Sequence, residues 1–111
     1  MITASGLEYI ETTTGKGVQA AVGKTVIAHY TGKFMEDKVF DSSISRGEPF
    51  EFVVGKGRVI KGWDEGISLM KVGGKAQVTI PPNLGYGEHG ARSVIPTNAI
   101  LVFDVDLVDV K

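Results

Sequence analysis

The sequence predicts an α+β domain: a curved antiparallel β-sheet of about five strands wrapped around one short α-helix. Three observations carry this. Apolar and polar residues alternate along several separate stretches, the period of a half-buried strand. One stretch, Val59 to Met70, has helical spacing instead. There Ile60, Trp63, Ile67 and Met70 make an apolar stripe, with Lys61, Asp64, Glu65, Ser68 and Lys71 on the other side. Fifteen glycines among 111 residues supply the many tight turns that a mostly antiparallel β protein needs.

In chain order, Leu7–Glu11 alternates and reads as the first strand. Thr12 to Gly17 is a turn with Gly15-Lys16-Gly17 at its tip. Val26–Phe34 is a longer strand, with Val26, Ala28 and Tyr30 on one face and Ile27 and His29 on the other. After the polar turn Glu36-Asp37-Lys38 comes a short strand, Val39–Asp41, and then a polar loop from Ser42 to Glu48 that contains Arg46. Pro49–Val54 resumes a strand, and Gly55-Lys56-Gly57 turns into the helix. Gly62 and Gly66 lie four apart in that helix, each at a cost of about 1 kcal/mol relative to alanine. Two such costs imply a very close neighbouring surface, and a sheet curled around the helix is the simplest one. Trp63, the only tryptophan, then points into the sheet. Lys71 and Gly73-Gly74 are helix-stop signals. Lys75–Ile80 is a strand with Ala76, Val78 and Ile80 inward, ended by Pro81-Pro82. Asn83 to Asn98 is a long irregular loop, a kind usually functional or mobile. Ile100–Val110 alternates again, with Leu101, Phe103, Val105 and Leu107 opposite Asp104 and Asp106. The far face of the sheet is expected to meet water.

The totals exclude several classes. The length suits one domain, residues 1–111, and 42% apolar residues suit a globular core. A net charge of −1 with dispersed Lys and Arg argues against a nucleic-acid partner. The chain has no cysteine, hence no disulfide, thiolate metal site or thiol nucleophile. No run is long enough for a membrane span and no signal peptide is visible, so a cytoplasmic protein without a membrane partner is expected. Gly23-Lys24-Thr25 looks like the end of a phosphate loop, but five residues separate Gly17 from Gly23 where the motif needs four, and a strand follows rather than a helix. A turn is the better reading. His29 sits in a strand as a hydrogen-bonded core histidine, and His89 sits in the long loop beside Glu88. No carboxylate spacing completes a metal site with them, and Ser42 and Ser43 lack the setting of a triad nucleophile. Neither metal nor cofactor is expected. What remains is aromatic: Tyr30, Phe40, Phe50, Trp63, Tyr86 and Phe103 come from six separate segments. Phe40 is followed at once by the charge of Asp41, and Tyr86 stands between Gly85 and Gly87, a poor place for a core aromatic.

Several motifs in unbroken order then carry a resemblance. They are His29-Tyr30-Thr31-Gly32, Phe40-Asp41-Ser42-Ser43, Val59 to Gly66, Gly85-Tyr86-Gly87, Ile95-Pro96 and Leu101 to Val105. Together they resemble the FKBP-type peptidyl-prolyl cis-trans isomerases, immunophilins that bind tacrolimus and rapamycin, over nearly the whole chain from Gly6 to Val108. The resemblance implies the same FKBP-like fold and an apolar cleft between helix and sheet. Trp63 would floor it, and Tyr30, Phe40, Phe50 and Phe103 would wall it. Val59 and Ile60 would line its edge, with the Ile60 N–H bonding a ligand carbonyl. Tyr86 would offer its hydroxyl, and Val94 and Ile95 would cover the mouth. Asp41 would sit at the rim, bonded towards Tyr30 and near Arg46. Asp41, Tyr86, Phe40 and Phe103 are the implied catalytic group. The implied partners are proline-containing peptides and unfolded protein chains, with tacrolimus and rapamycin as inhibitors.

The sequence departs from the family pattern in three places. Ala91 stands for a frequent histidine, Gly85 for an alanine, and Val94-Ile95 for an isoleucine pair. These bear on the loop and its substrate preference, not on the cleft floor. There is no room in the long loop for an inserted chaperone domain, no histidine-rich tail, and no helical extension before Gly6, so a monomer is expected. A binding module with the same cleft but little catalysis is the alternative reading. An oligosaccharide- or oligonucleotide-binding barrel fits the strand count only loosely.

Overall fold

The architecture follows from where the alternating stretches find partners. In the computed structural model, which describes residues 2–3, 5–35, 38–85 and 99–111 and omits the side chains of 45 and 46, six stretches form strands. They are β1 (Glu8–Thr13), β2 (Thr25–Phe34), β3 (Val39–Ser42), β4 (Phe50–Val53), β5 (Lys75–Ile80) and β6 (Leu101–Val110). Two helices join them, α1 (Ser43–Arg46) and α2 (Lys61–Ser68), and Pro82–Leu84 makes one 3₁₀ turn. Every pairing is antiparallel, in the order β1-β5-β6-β2-β3, with β4 also on β2. β3 takes Thr31 to Lys33 of β2, while β4 takes Thr25 to Ala28. The two short strands thus share one edge, and the sheet is five strands wide. This is the expected antiparallel sheet around one short helix.

The burial of β2 and β5 alternates as the sequence requires, and so does that of β6 after Val102, which is buried on the opposite face. Val26, Ala28 and Tyr30 are buried, as are Ala76, Val78 and Ile80, and Leu101, Phe103, Val105 and Leu107. α2 lies across this face with Trp63, Ile67 and Met70 buried beneath it. The two helical glycines mark the contact. A methyl on Gly62 would stand 2.7 Å from Ile80, and one on Gly66 would stand 3.2 Å from Val78. Only a missing side chain lets this backbone sit so close to β5. No helix among the described residues is long and apolar enough to cross a membrane.

Four local expectations are corrected. The helix does not begin at Val59: Ile60 is extended (φ −60°, ψ 152°), so Val59 and Ile60 form its approach. Lys71 does not cap it, because α2 ends at Ser68 with no basic residue in its last turn; Lys71 instead bridges to Gln19. Gly73, at φ 88°, serves the turn that enters β5. Gly15 is no exposed tip: it is buried, and a methyl there would meet the Lys71 carbonyl oxygen at 2.4 Å. The segment after Asp41 is not simply a polar loop, since Ser42 ends β3 and Ser43 begins α1, both buried.

The burial of Ser43 has a clear cause. On this edge of β2, β4 pairs with Thr25 to Ala28 and β3 with Thr31 to Lys33, and Tyr30 falls in the interval between them. Ser43 Oγ accepts the Tyr30 N–H at 2.7 Å and reaches the Tyr30 carbonyl oxygen at 3.3 Å. One hydroxyl bridges that interval, since buried backbone groups must be paired. The same Oγ lies 3.0 Å from His29 Nδ1, so His29 is half-buried and hydrogen-bonded.

Candidate functional site

The N-terminal end of α2, the concave face of β2 and β6, and the start of β4 converge on a cluster of aromatic rings. Trp63 is its hub. Its ring centroid lies 4.9 Å from Tyr30, 5.3 Å from Phe103, 5.7 Å from Phe52 and 5.9 Å from Phe50, every pair near edge-to-face. This geometry places positive ring edges on negative ring faces and holds each ring in one orientation. Phe40 extends the cluster, 5.7 Å from Phe103 and 4.9 Å from Phe34. Tyr30, Phe40, Phe50, Trp63 and Phe103 border an open cleft of about 200 Å³. Trp63 itself is only 6% exposed, yet it lines that cleft, so the indole is packed from behind and open in front.

Eight of the twelve residues singled out from the sequence line this one cleft: Tyr30, Phe40, Asp41, Phe50, Val59, Ile60, Trp63 and Phe103. Tyr86, Val94 and Ile95 lie outside the described residues, as does the side chain of Arg46, whose backbone belongs to α1. Asp41 is held at the rim by its own neighbours. Its Oδ2 accepts the Tyr30 hydroxyl proton at 2.6 Å, and its Oδ1 accepts the Ser42 N–H at 2.9 Å. Charge-assisted bonds of this kind fix a carboxylate more firmly than neutral ones. Ile60 supplies its carbonyl to Trp63 N–H at 3.0 Å and Asp64 N–H at 3.2 Å, starting α2. No side chain caps this helix, and the Ile60 N–H bonds to no other described residue. A cleft wall therefore carries a backbone donor ready for an acceptor from outside.

Three contributors were not singled out from the sequence. Arg58 also lines the cleft. Its signal was available, a cation immediately before Val59-Ile60, but nothing marked it as facing inward. Gly32 lies behind the wall: a methyl there would meet Phe103 at 2.7 Å and Phe40 at 2.8 Å, so the absence of a side chain lets both rings lie over β2. Asp64 braces the approach to α2 from outside, accepting Gly55 N–H at 2.8 Å and Gly57 N–H at 3.3 Å. Gly55 and Gly57 both have positive φ, 79° and 68°, which the brace requires and other residues resist.

Comparison with known proteins decides the family. A sequence model of the FKBP-type peptidyl-prolyl cis-trans isomerases matches residues 16–108. The chain belongs to that family. It is 53% identical over 109 residues to a probable FKBP-type peptidyl-prolyl cis-trans isomerase of Haemophilus influenzae, covering 98% of this chain and 44% of that protein. It is 50% identical over 106 residues to FK506-binding protein 1 of Dictyostelium discoideum, covering 96% of this chain and 99% of that one. Among solved structures, AtFKBP13 superposes with a TM-score of 0.91 at 41% identity, over 97% of this chain and 95% of its own. FkpA from Escherichia coli superposes at 0.93 with 43% identity, over 100% of this chain and 51% of its own. The chain thus spans about half the length of the Haemophilus and Escherichia relatives and nearly all of the other two. The aromatic cleft is the place to look for the chemistry of this FKBP-type chain.

Proposed function

We propose that the cleft floored by Trp63 is where an Xaa-Pro amide rotates, with no covalent bond to the protein. In this reading the prolyl ring rests among Trp63, Phe50, Val59 and Phe103. The Ile60 N–H and the Tyr86 hydroxyl anchor substrate carbonyls. Phe40 and Asp41 lie beside the rotating bond, with Arg46 near Asp41, and Val94 and Ile95 cover the mouth. The substrates are proline-containing peptides and unfolded chains. Tacrolimus and rapamycin compete for the same cleft, a reading that the name FK506-binding protein 1 of the Dictyostelium relative favours.

The physics asks little of the side chains. The amide barrier is about 18–20 kcal/mol, because twisting destroys resonance. A planar amide has a large dipole that water stabilises, and twisting removes much of it. An apolar cleft therefore disfavours the planar state more than the twisted one. Uncatalysed exchange takes about 10–100 s. A turnover of order 10³ s⁻¹ then requires about 10⁵-fold acceleration, or about 7 kcal/mol. Desolvation, shape selection of the twisted amide and one or two hydrogen bonds can supply that without a nucleophile.

The observation that supports this most is the indole held edge-to-face by four rings, three of which, Tyr30, Phe50 and Phe103, line the same cleft as it does. The test is exchange spectroscopy on a proline tetrapeptide with wild-type protein and Asp41→Leu. Turnover should fall in the variant by more than rapamycin affinity does. An unchanged rate removes Asp41 from the mechanism.

A further inference from the structure

Arg58 is a charged lining residue of the cleft for which rotation of the amide has no use. Its position is well defined. It follows Gly57 in the turn that Asp64 braces through two backbone N–H groups, and it precedes Val59 and Ile60 at the cleft edge. Its side chain is exposed and makes no ion pair with any described residue. Lys56 and Lys61, two and three residues away, are exposed as well. Of the acids on α2, Asp64 is taken up by the Gly55 and Gly57 N–H groups and Glu65 by the Ser5 hydroxyl, and neither lines the cleft, so Arg58 is the charge that the α2 side presents to it. Asp41, the carboxylate lining the cleft, is already occupied by the Tyr30 hydroxyl and the Ser42 N–H. The other lining residues are aromatic or aliphatic. A peptide threading this cleft meets a cation on one side and finds no free acid near it among the described lining residues.

We propose that Arg58 is a specificity-determining residue, selecting Xaa-Pro substrates that carry an acidic side chain next to the proline. This rests on the cleft being the isomerase site. A guanidinium presents paired N–H donors in a plane that matches a carboxylate. Because Arg58 is exposed, such a pair is worth a few-fold in kcat/KM, not orders of magnitude. A substrate lysine at the same place is repelled, so the contrast between acid and base is larger than either effect alone. The preference is electrostatic and must weaken with salt.

The test measures kcat/KM by exchange spectroscopy on short peptides with Glu, Gln or Lys immediately before or immediately after the proline. At low ionic strength the wild-type protein should favour Glu over Lys by about five- to tenfold in at least one series. That ratio should fall towards one in about 0.5 M salt. Arg58→Gln should bring it near one and Arg58→Glu should invert it. Lys56→Gln and Lys61→Gln, which remove the same charge outside the cleft lining, should leave most of the ratio in place. A wild-type ratio near one overturns the assignment. So does a ratio that Arg58→Glu leaves unchanged, or one that Lys56→Gln moves as far as Arg58→Gln does. Failure of the underlying reading shows separately. In that case Phe103→Ala, folded by circular dichroism, keeps the wild-type rate on the Gln peptides.

Discussion

Two alanine substitutions on α2, chemically identical and one turn apart, should have opposite consequences. At Gly62 the added methyl would lie 2.7 Å from Ile80 Cγ2 and 2.8 Å from both Cδ1 and Cγ1. Relaxed carbon contacts need about 3.5–4.0 Å, so the helix or the strand must give by nearly 1 Å. Ile80 is 1% exposed, and the seam that it lines with Gly62 and Gly66 holds only gaps too small for a water molecule. Overpacking of this kind costs about 1–3 kcal/mol, while replacing glycine in a helix returns about 1 kcal/mol. The net is a loss of about 1 kcal/mol. At Gly66 the nearest atoms are Val78 Cγ1 at 3.2 Å, Cγ2 at 3.4 Å and Leu7 Cδ2 at 3.7 Å. A shift of a few tenths of an ångström accommodates the methyl, and the helical gain of about 1 kcal/mol dominates. Urea unfolding followed by Trp63 fluorescence measures both with an unchanged m value. Gly66→Ala should exceed Gly62→Ala by about 2 kcal/mol, or about 8 °C in Tm for a chain of this length. Equal stabilities, or a Gly62→Ala protein more stable than wild type, would refute the claim that the sheet presses on the helix at Gly62.

Further outcomes follow from the same geometry. Gly32→Ala should tilt Phe40 and Phe103 and lower kcat/KM by about tenfold, with far smaller loss of stability than turnover; an unaltered kcat/KM would show that those rings tolerate displacement. Asp64→Ala should release the Gly55 and Gly57 amides and destabilise by about 1 kcal/mol, discounted for exposure; faster hydrogen exchange at Gly55 and Gly57 is the check. Burial, with the Glu11 charge adding to it, raises the Tyr9 pKa above its ordinary value. The unfolded chain therefore loses the Tyr9 proton first, near pH 10, so this contribution to stability is intact below pH 10 and shrinks as pH rises towards the folded pKa. Tyr9→Phe should flatten that alkaline decline, and an identical decline in both proteins would exclude Tyr9 as its source.

The fold was legible because its signals were redundant. Period-two alternation coincided with what β2 and β5 bury, and with what β6 buries except at Val102, and two costly glycines announced where the helix meets the sheet. What failed was local. Ile60 matches the helical stripe by spacing, yet it is extended, because Asp64 holds the preceding turn and the chain must enter α2 from the cleft edge. Ser42 and Ser43 read as loop because serine is usually exposed, whereas Ser42 pairs in β3 and the Ser43 hydroxyl bridges the interval of the β2 edge between β4 and β3. No sequence pattern encodes such an interval in a ladder. The aromatic site was visible as residues out of place: a charge beside Phe40, and rings from separate segments. The roles of Arg58 and Gly32 were not, since both depend on which way a backbone faces once strands have paired.

The central claim, that the amide turns against Trp63 in an open aromatic cleft, is tested most directly by one titration. Rapamycin is added to the protein while Trp63 emission and the exchange rate of a proline tetrapeptide are followed in the same sample. The account predicts that emission changes and the catalysed rate vanishes along one saturation curve. Loss of the catalysed rate with Trp63 emission untouched, or altered emission with the rate intact, would contradict it.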